Sequence, residues 1–165
     1  MSDERREKIT RLIEKMFDMV PPKEVTDQMK GDESQVDDAG VPIALRTLAE
    51  AVFAEDIHFY IPGHGPHAFS GVGHQPYFKF NAERMQATEG KLSLKLLDIL
   101  IGETHAAALI HYREETAGKP FEWLRTNVFK FNDALDKIIE VRVFEHDQHG
   151  VDAYYTHAYG ASAGR

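Results

Sequence analysis

Apolar residues near the start of the chain recur at the spacing of one helical face. Ile9, Leu12, Ile13, Met16, Phe17 and Val20 make a single stripe, and Pro21-Pro22 ends it. This predicts a helix over Glu4–Met19, with Asp3 and Glu4 where the helix dipole favours negative charge. A short helix from Glu24 to Lys30 is expected next, then an acidic loop from Gly31 to Gly40. Leu45, Leu48, Ala49, Val52 and Phe53 give one face of a further helix over Ile43–Ala54. The period then shortens to two. Asp56 to Pro62 reads as a strand, followed by a loop of Gly, Pro and His up to Gly73. His74–Thr88 reads as a helix that tolerates Pro76 in its first turn and stops at Gly90.

From Leu92 onward the pattern is β. Leu92–Ile101, His105–Thr116, Phe121–Asn132 and Lys137–His146 are rich in branched and aromatic residues, and only short turn segments separate them. Short links imply antiparallel neighbours in a meander. Helices first and a meander afterwards define an α+β domain, with helices on one face of the sheet. If the sheet curves around those helices, its open end is a natural ligand cavity. The expected division is a helical extension over 1–43, a core over 44–156 and a frayed tail over 157–165, all in one domain.

The 165 residues match one domain in length, and their formal charge of −8 argues against a phosphate backbone as partner. The chain has no cysteine, which excludes disulfides, thiolate metal sites and a cysteine nucleophile. Its first residues carry charges of both signs with no apolar segment behind them, so no leader peptide is expected. No apolar run approaches the roughly 20 residues that span a bilayer. A cytoplasmic protein without nucleic-acid or membrane partners is the expectation.

Several segments, in order, resemble one family. They are Leu48-Ala49-Glu50-Ala51-Val52-Phe53-Ala54-Glu55-Asp56, Tyr60-Ile61-Pro62-Gly63, and Pro66, Ala68 and Gly73. Leu97-Asp98-Ile99-Leu100, Val128 to Asp133, Lys137-Ile138-Ile139-Glu140 and the tail around Asp147, Asp152 and Tyr154-Tyr155 continue the series. From about Leu45 to Tyr155 the chain resembles the SnoaL-like branch of the NTF2-like superfamily, which includes ketosteroid isomerase. The resemblance implies a cone-shaped fold, a curved antiparallel sheet wrapped around N-terminal helices, and a homodimer. It also implies a pocket for a small hydrophobic or ring-bearing ligand. The activity implied is isomerisation, cyclisation or dehydration by proton transfer, without a cofactor. The same fold also serves as a non-catalytic binding or dimerisation module. The chain departs from the family pattern in its acidic 31–40 segment, in the four-residue turn Asp133–Asp136, and in the two imidazoles of His64-Gly65-Pro66-His67.

Candidate chemistry follows from alternation. Phe121, Trp123, Arg125, Asn127, Phe129 and Phe131 share one strand face, either a pocket wall or an outer interface. As a wall, they offer apolar surface plus Arg125 and Asn127 to hold a substrate oxygen. Phe144 at the end of the next strand, Tyr60 and Tyr77 complete the expected substrate-binding set. Asp147 or His64 is the expected proton carrier, with Asp147 equally readable as a turn residue. Asp98 reads better as an outward or backbone-bonded carboxylate. The pairs His64/His67 and His146/His149 have ligand-like spacing, but nothing completes a metal set, so neither metal nor cofactor is expected. Leu124, Val128, Val141 and Val143 are expected on the outer face, where a dimer would form. A slip of one residue in any strand reverses such assignments.

Overall fold

A computed structural model describes residues 2–17, 43–87, 91–116 and 118–163. The expected helix at Glu24–Lys30 and the acidic 31–40 loop lie outside these residues. The described chain runs α1 (Asp3–Phe17), α2 (Ile43–Val52), β1 (Phe53–Ile61), β2 (Phe69–Val72) and α3 (His74–Ala87). It continues through β3 (Leu92–Ile101), β4 (His105–Thr116), β5 (Lys119–Phe131), β6 (Ile138–Glu145) and α4 (Gln148–Ala163).

The strands form one curved, unclosed sheet in the order β2-β1-β6-β5-β4-β3. The four strands after Leu92 pair antiparallel, as the short links require. The sheet as a whole is mixed, because β1 lies parallel to β6. The expectation of a purely antiparallel sheet is corrected there. The chain completes the meander before β6 meets β1, and that route delivers β6 in the same direction as β1.

Ile9, Leu12 and Ile13 of α1 are buried, as the stripe predicts, and α1 packs on α2 and β3. α3 packs against β1, β2 and α4. The tail expected to fray is instead largely helical. α4 runs on to Ala163, with Ala158 fully buried and Tyr159 packed on the core. Val151, Tyr155 and Ala158 are small or aromatic residues at helical spacing, and together they seat the helix on the core.

Strand parity decides what faces inward. On β5 the buried set is Trp123, Arg125, Asn127, Phe129 and Phe131. On β4 it is Ala106, Ala108, Ile110, Tyr112, Glu114 and Thr116. On β6 the register shifts where Phe131 faces Ile138 but Lys130 faces Glu140, leaving Ile139 as an extra residue. Such a bulge switches parity. Beyond it Val141, Val143 and the Glu145 side chain point inward, while Phe144 is 51% exposed. Val141 and Val143 therefore belong to the core, not to the outer face where regular alternation from Ile138 would put them.

Candidate functional site

The inner face of the sheet and the helices that cover it enclose charged and aromatic side chains. Arg125 is 3% exposed, is ion-paired to Glu145 and lies over the Tyr112 ring with its guanidinium carbon 4.1 Å from the centroid. Trp123 Nε1 donates to the other oxygen of Glu145 at 2.7 Å. Burial works against a charged guanidinium, but Tyr112 and Glu145 outweigh it and hold Arg125 more firmly protonated than usual. Two inward residues of β5 and one of β6 thus make a closed polar unit beneath Tyr112.

A second unit lies beside it. Glu114 Oε1 accepts from the Tyr155 hydroxyl at 2.9 Å and lies 3.8 Å from Arg84 Nε. Burial pushes the Glu114 carboxyl above the ordinary range despite the Arg84 charge, and it raises the Tyr155 phenol well above its own. The Tyr155 ring stacks on His67, with centroids 4.8 Å apart, which joins this unit to a third.

His67 is 1% exposed, and its Nε2 lies 3.1 Å from Asp152 Oδ1. Gln148 Nε2 donates to the same oxygen at 3.0 Å. An ionised carboxylate only accepts, so the hydrogen of a neutral His67 belongs on Nε2 and Nδ1 keeps its lone pair. Burial pushes the imidazole below its ordinary value, against the opposing pull of Asp152 and Glu145.

The loop sequence explains how a histidine and an aspartate meet there. Gly63 has φ +140°, and a Cβ on it would stand 2.7 Å from His67 Nε2 and 2.8 Å from Asp152 Oδ1. On the other side of the ring, a Cβ on Gly65 would lie 3.2 Å from Nδ1. Bare glycines therefore let the loop fold closely around the imidazole. α4 brings Gln148 and Asp152 to it one turn apart.

Several of these buried atoms have no hydrogen-bond partner among the described residues. They are His67 Nδ1, Glu114 Oε2, Arg125 Nε and Asn127 Oδ1. Buried polar atoms are paired in the great majority of cases, so each of these calls for a partner, an internal water included.

The expected site residues divide between inside and outside. Trp123, Arg125 and Asn127 lie on the inner face, and Tyr77 stacks on Phe59 at 4.0 Å with burial raising its phenol. Tyr60 is 49% exposed, because the inward set of β1 is Ile57, Phe59 and Ile61. Phe144 faces outward for the reason given above. Asp147 is exposed and its Oδ1 accepts from Gly150 N at 2.9 Å, the N-cap bond that starts α4. His64 has a 96% exposed side chain, and its Nδ1 lies 3.8 Å from Asp152 Oδ2, at the rim of the dyad rather than inside it. Asp98 is exposed and accepts from Ile99 N.

Sequence reasoning missed His67, Asp152, Glu145, Glu114, Arg84 and Tyr155 as a group. One signal was present in the register of β4 and β5: Glu114 stands opposite Phe121, and therefore on the same face as Trp123. Among the described residues no group of three or more His, Asp or Glu side chains converges as a metal site would. No helix among them is long and apolar enough to cross a membrane.

The fold is an NTF2-like α+β one, a curved sheet whose inner face holds the polar cluster. Three solved structures place it. Bal32a, from a soil-derived mobile gene cassette, is similar with a TM-score of 0.66 and 18% identity, over 90% of this chain and 98% of its own. A putative SnoaL-like polyketide cyclase from Jannaschia sp. CCS1 matches with a TM-score of 0.57 and 12% identity, over 70% of this chain and 81% of its own. An NTF2-like protein from Burkholderia xenovorans LB400 matches with a TM-score of 0.54 and 14% identity, over 94% of this chain and 95% of its own. No family model matches the sequence, and no curated protein does.

Proposed function

We propose that the protein is a small-molecule enzyme that moves a proton on a ring or carbonyl substrate, with His67 as the base. One observation carries this reading. His67 is buried, held neutral by its surroundings and oriented by Asp152, and its second nitrogen has no partner. A neutral imidazole oriented by a carboxylate is the form a general base requires. In that role His67 Nδ1 takes a proton from carbon, and Asp152 stabilises the imidazolium that forms. Arg125 and Asn127 hold the substrate on the wall of β5. Isomerisation, cyclisation and dehydration all contain such a step, and the likeness to a putative SnoaL-like polyketide cyclase is consistent with it.

The test is solvent exchange. A ring ketone such as 2-tetralone is incubated with the protein in D2O, and loss of its α-proton signal is followed by NMR. The wild type is expected to accelerate exchange, and His67→Gln to lose about 100-fold or more of that acceleration. Equal exchange in both proteins, with ring ligands still bound, would favour the non-catalytic binding module instead.

A further inference from the structure

Proton transfer to His67 places a positive charge on a side chain that is 1% exposed, so the reaction depends on what surrounds that ring. Asp152 and Gln148 meet its Nε2 edge. One face is covered by Tyr155, whose ring plane is tilted only 16° from the imidazole, with centroids 4.8 Å apart. A cation within about 6 Å of an aromatic centroid, over the ring face, is attracted by the negative π cloud. The neutral imidazole carries no charge to attract, so this contact selectively favours the protonated ring. The other charged groups that act on His67 are Glu145 and Arg125, which pair with each other, and His64 stands at the far oxygen of Asp152.

Tyr155 is itself fully buried and is anchored at its far end. Its hydroxyl donates to Glu114 Oε1 at 2.9 Å, and Arg84 Nε lies 3.8 Å from the same oxygen. Trp123 meets the phenol ring edge-on, with planes at 84° and centroids 6.3 Å apart. The stack on His67 is thus fixed from two directions. A phenol that donates its hydrogen bond to a carboxyl group gains electron density on its ring, which strengthens the face that His67 meets. We infer that Tyr155 is a positioning residue for the proton transfer: its π face stabilises the imidazolium formed on His67, and Glu114 holds the phenol where it can do so. The inference rests on His67 acting as the base in the proposed function, yet the stack itself is measurable without turnover.

The experiment keeps the shape of the ring and changes its charge distribution. Tyr155 is replaced by Phe and, through unnatural amino-acid incorporation, by mono-, di- and trifluorophenylalanine, whose fluorines draw electron density out of the ring face. The His67 ring protons, assigned with His67→Gln, are titrated by NMR, and α-proton exchange of 2-tetralone in D2O is followed over the same pH range. The His67 midpoint should be lower in Tyr155→Phe than in the wild type and should fall again with each fluorine. The acid limb of the exchange profile should move to lower pH with it. A weaker base also removes a carbon-bound proton more slowly, so the exchange rate at saturating tetralone should fall in the same order. The expected loss from wild type to the trifluoro variant is about threefold to tenfold, with KM unchanged because the stack touches His67 and not the substrate.

A His67 midpoint that stays fixed or rises along the fluorine series overturns the inference, and exchange that persists in the wild type then leaves the base in place. An exchange rate that stays constant while the midpoint falls overturns it as well. Absence of exchange in every protein overturns the proposed function instead, and the midpoints still decide whether the Tyr155 face favours the imidazolium.

Discussion

Replacing Gly63 by alanine should damage the His67–Asp152 pair more than any other single methyl group added to the loop. The new Cβ would sit 2.7 Å from His67 Nε2 and 2.8 Å from Asp152 Oδ1, closer than real Cβ contacts come, so imidazole and carboxylate must separate. A hydrogen bond to a charged group contributes about 1.5–3 kcal/mol, and holding a non-glycine residue at φ +140° costs about 1–3 kcal/mol. The expected loss of folding stability is therefore about 2.5–6 kcal/mol, and the two parts can be separated. Backbone strain persists whatever residue 152 is, whereas the pair term vanishes once Asp152 is Asn. Urea denaturation of wild type, Gly63→Ala, Asp152→Asn and the double variant closes a cycle. The double variant should be more stable than additivity predicts by roughly the pair term. Additive losses, or a Gly63→Ala cost below about 1 kcal/mol, would refute the view that this glycine exists to let the dyad close.

Other outcomes follow from the same geometry. The folded-state value of His67 is lowered, so its contribution to stability is present above about pH 6.5 and is lost as pH falls through the folded value. The urea midpoint should fall on acidification from pH 7, and His67→Gln should flatten that slope. The Glu114 value is raised, so its contribution is fully present below about pH 4.5 and is lost as pH rises through the folded value. Glu114→Gln should remove this decline, as pH-dependent denaturation would reveal. Arg125→Met strands Glu145 as a buried charge and should cost about 3–5 kcal/mol, much of it recovered by adding Glu145→Met; unfolding midpoints of the single and double variants test this. Leu100, Leu124 and Phe144 are exposed apolar residues, and the expected homodimer would cover such residues on the outer sheet face; a monomer mass in light scattering at micromolar concentration would sink that expectation.

The fold was legible because periodicity survives without knowledge of contacts. α1, α3 and the four C-terminal strands lie within a few residues of where apolar spacing puts them. The wall of β5 was legible for the same reason, since no irregularity interrupts it between Trp123 and Asn127. The site failed where one residue changed parity. The extra Ile139 in β6 turns Glu145 inward and Phe144 outward, and nothing in Ile138-Ile139 announces it. Asp147 and His64 differ in another way. The buried imidazole–carboxylate pair lies three and five residues further along, at His67 and Asp152. Choosing between neighbouring aspartates or histidines requires knowing where α4 begins and how tightly the glycine loop folds. The C-terminal helix itself was missed because its sequence is rich in glycine, alanine and aromatics and lacks a clear amphipathic stripe.

The parallel pairing of β1 with β6 has a consequence for how the protein matures. During synthesis β1 emerges early, but its parallel partner appears only after β3, β4 and β5 have left the ribosome, and α4 follows later still. The antiparallel meander can form from contacts close in sequence, whereas joining β1 to β6 closes a long loop and is intrinsically slow. Asp152 is made after all six strands, so His67 waits without its carboxylate until α4 has emerged. A nascent chain that has not yet reached α4 therefore holds the strands without the His67–Asp152 pair, and the pair forms only when α4 docks.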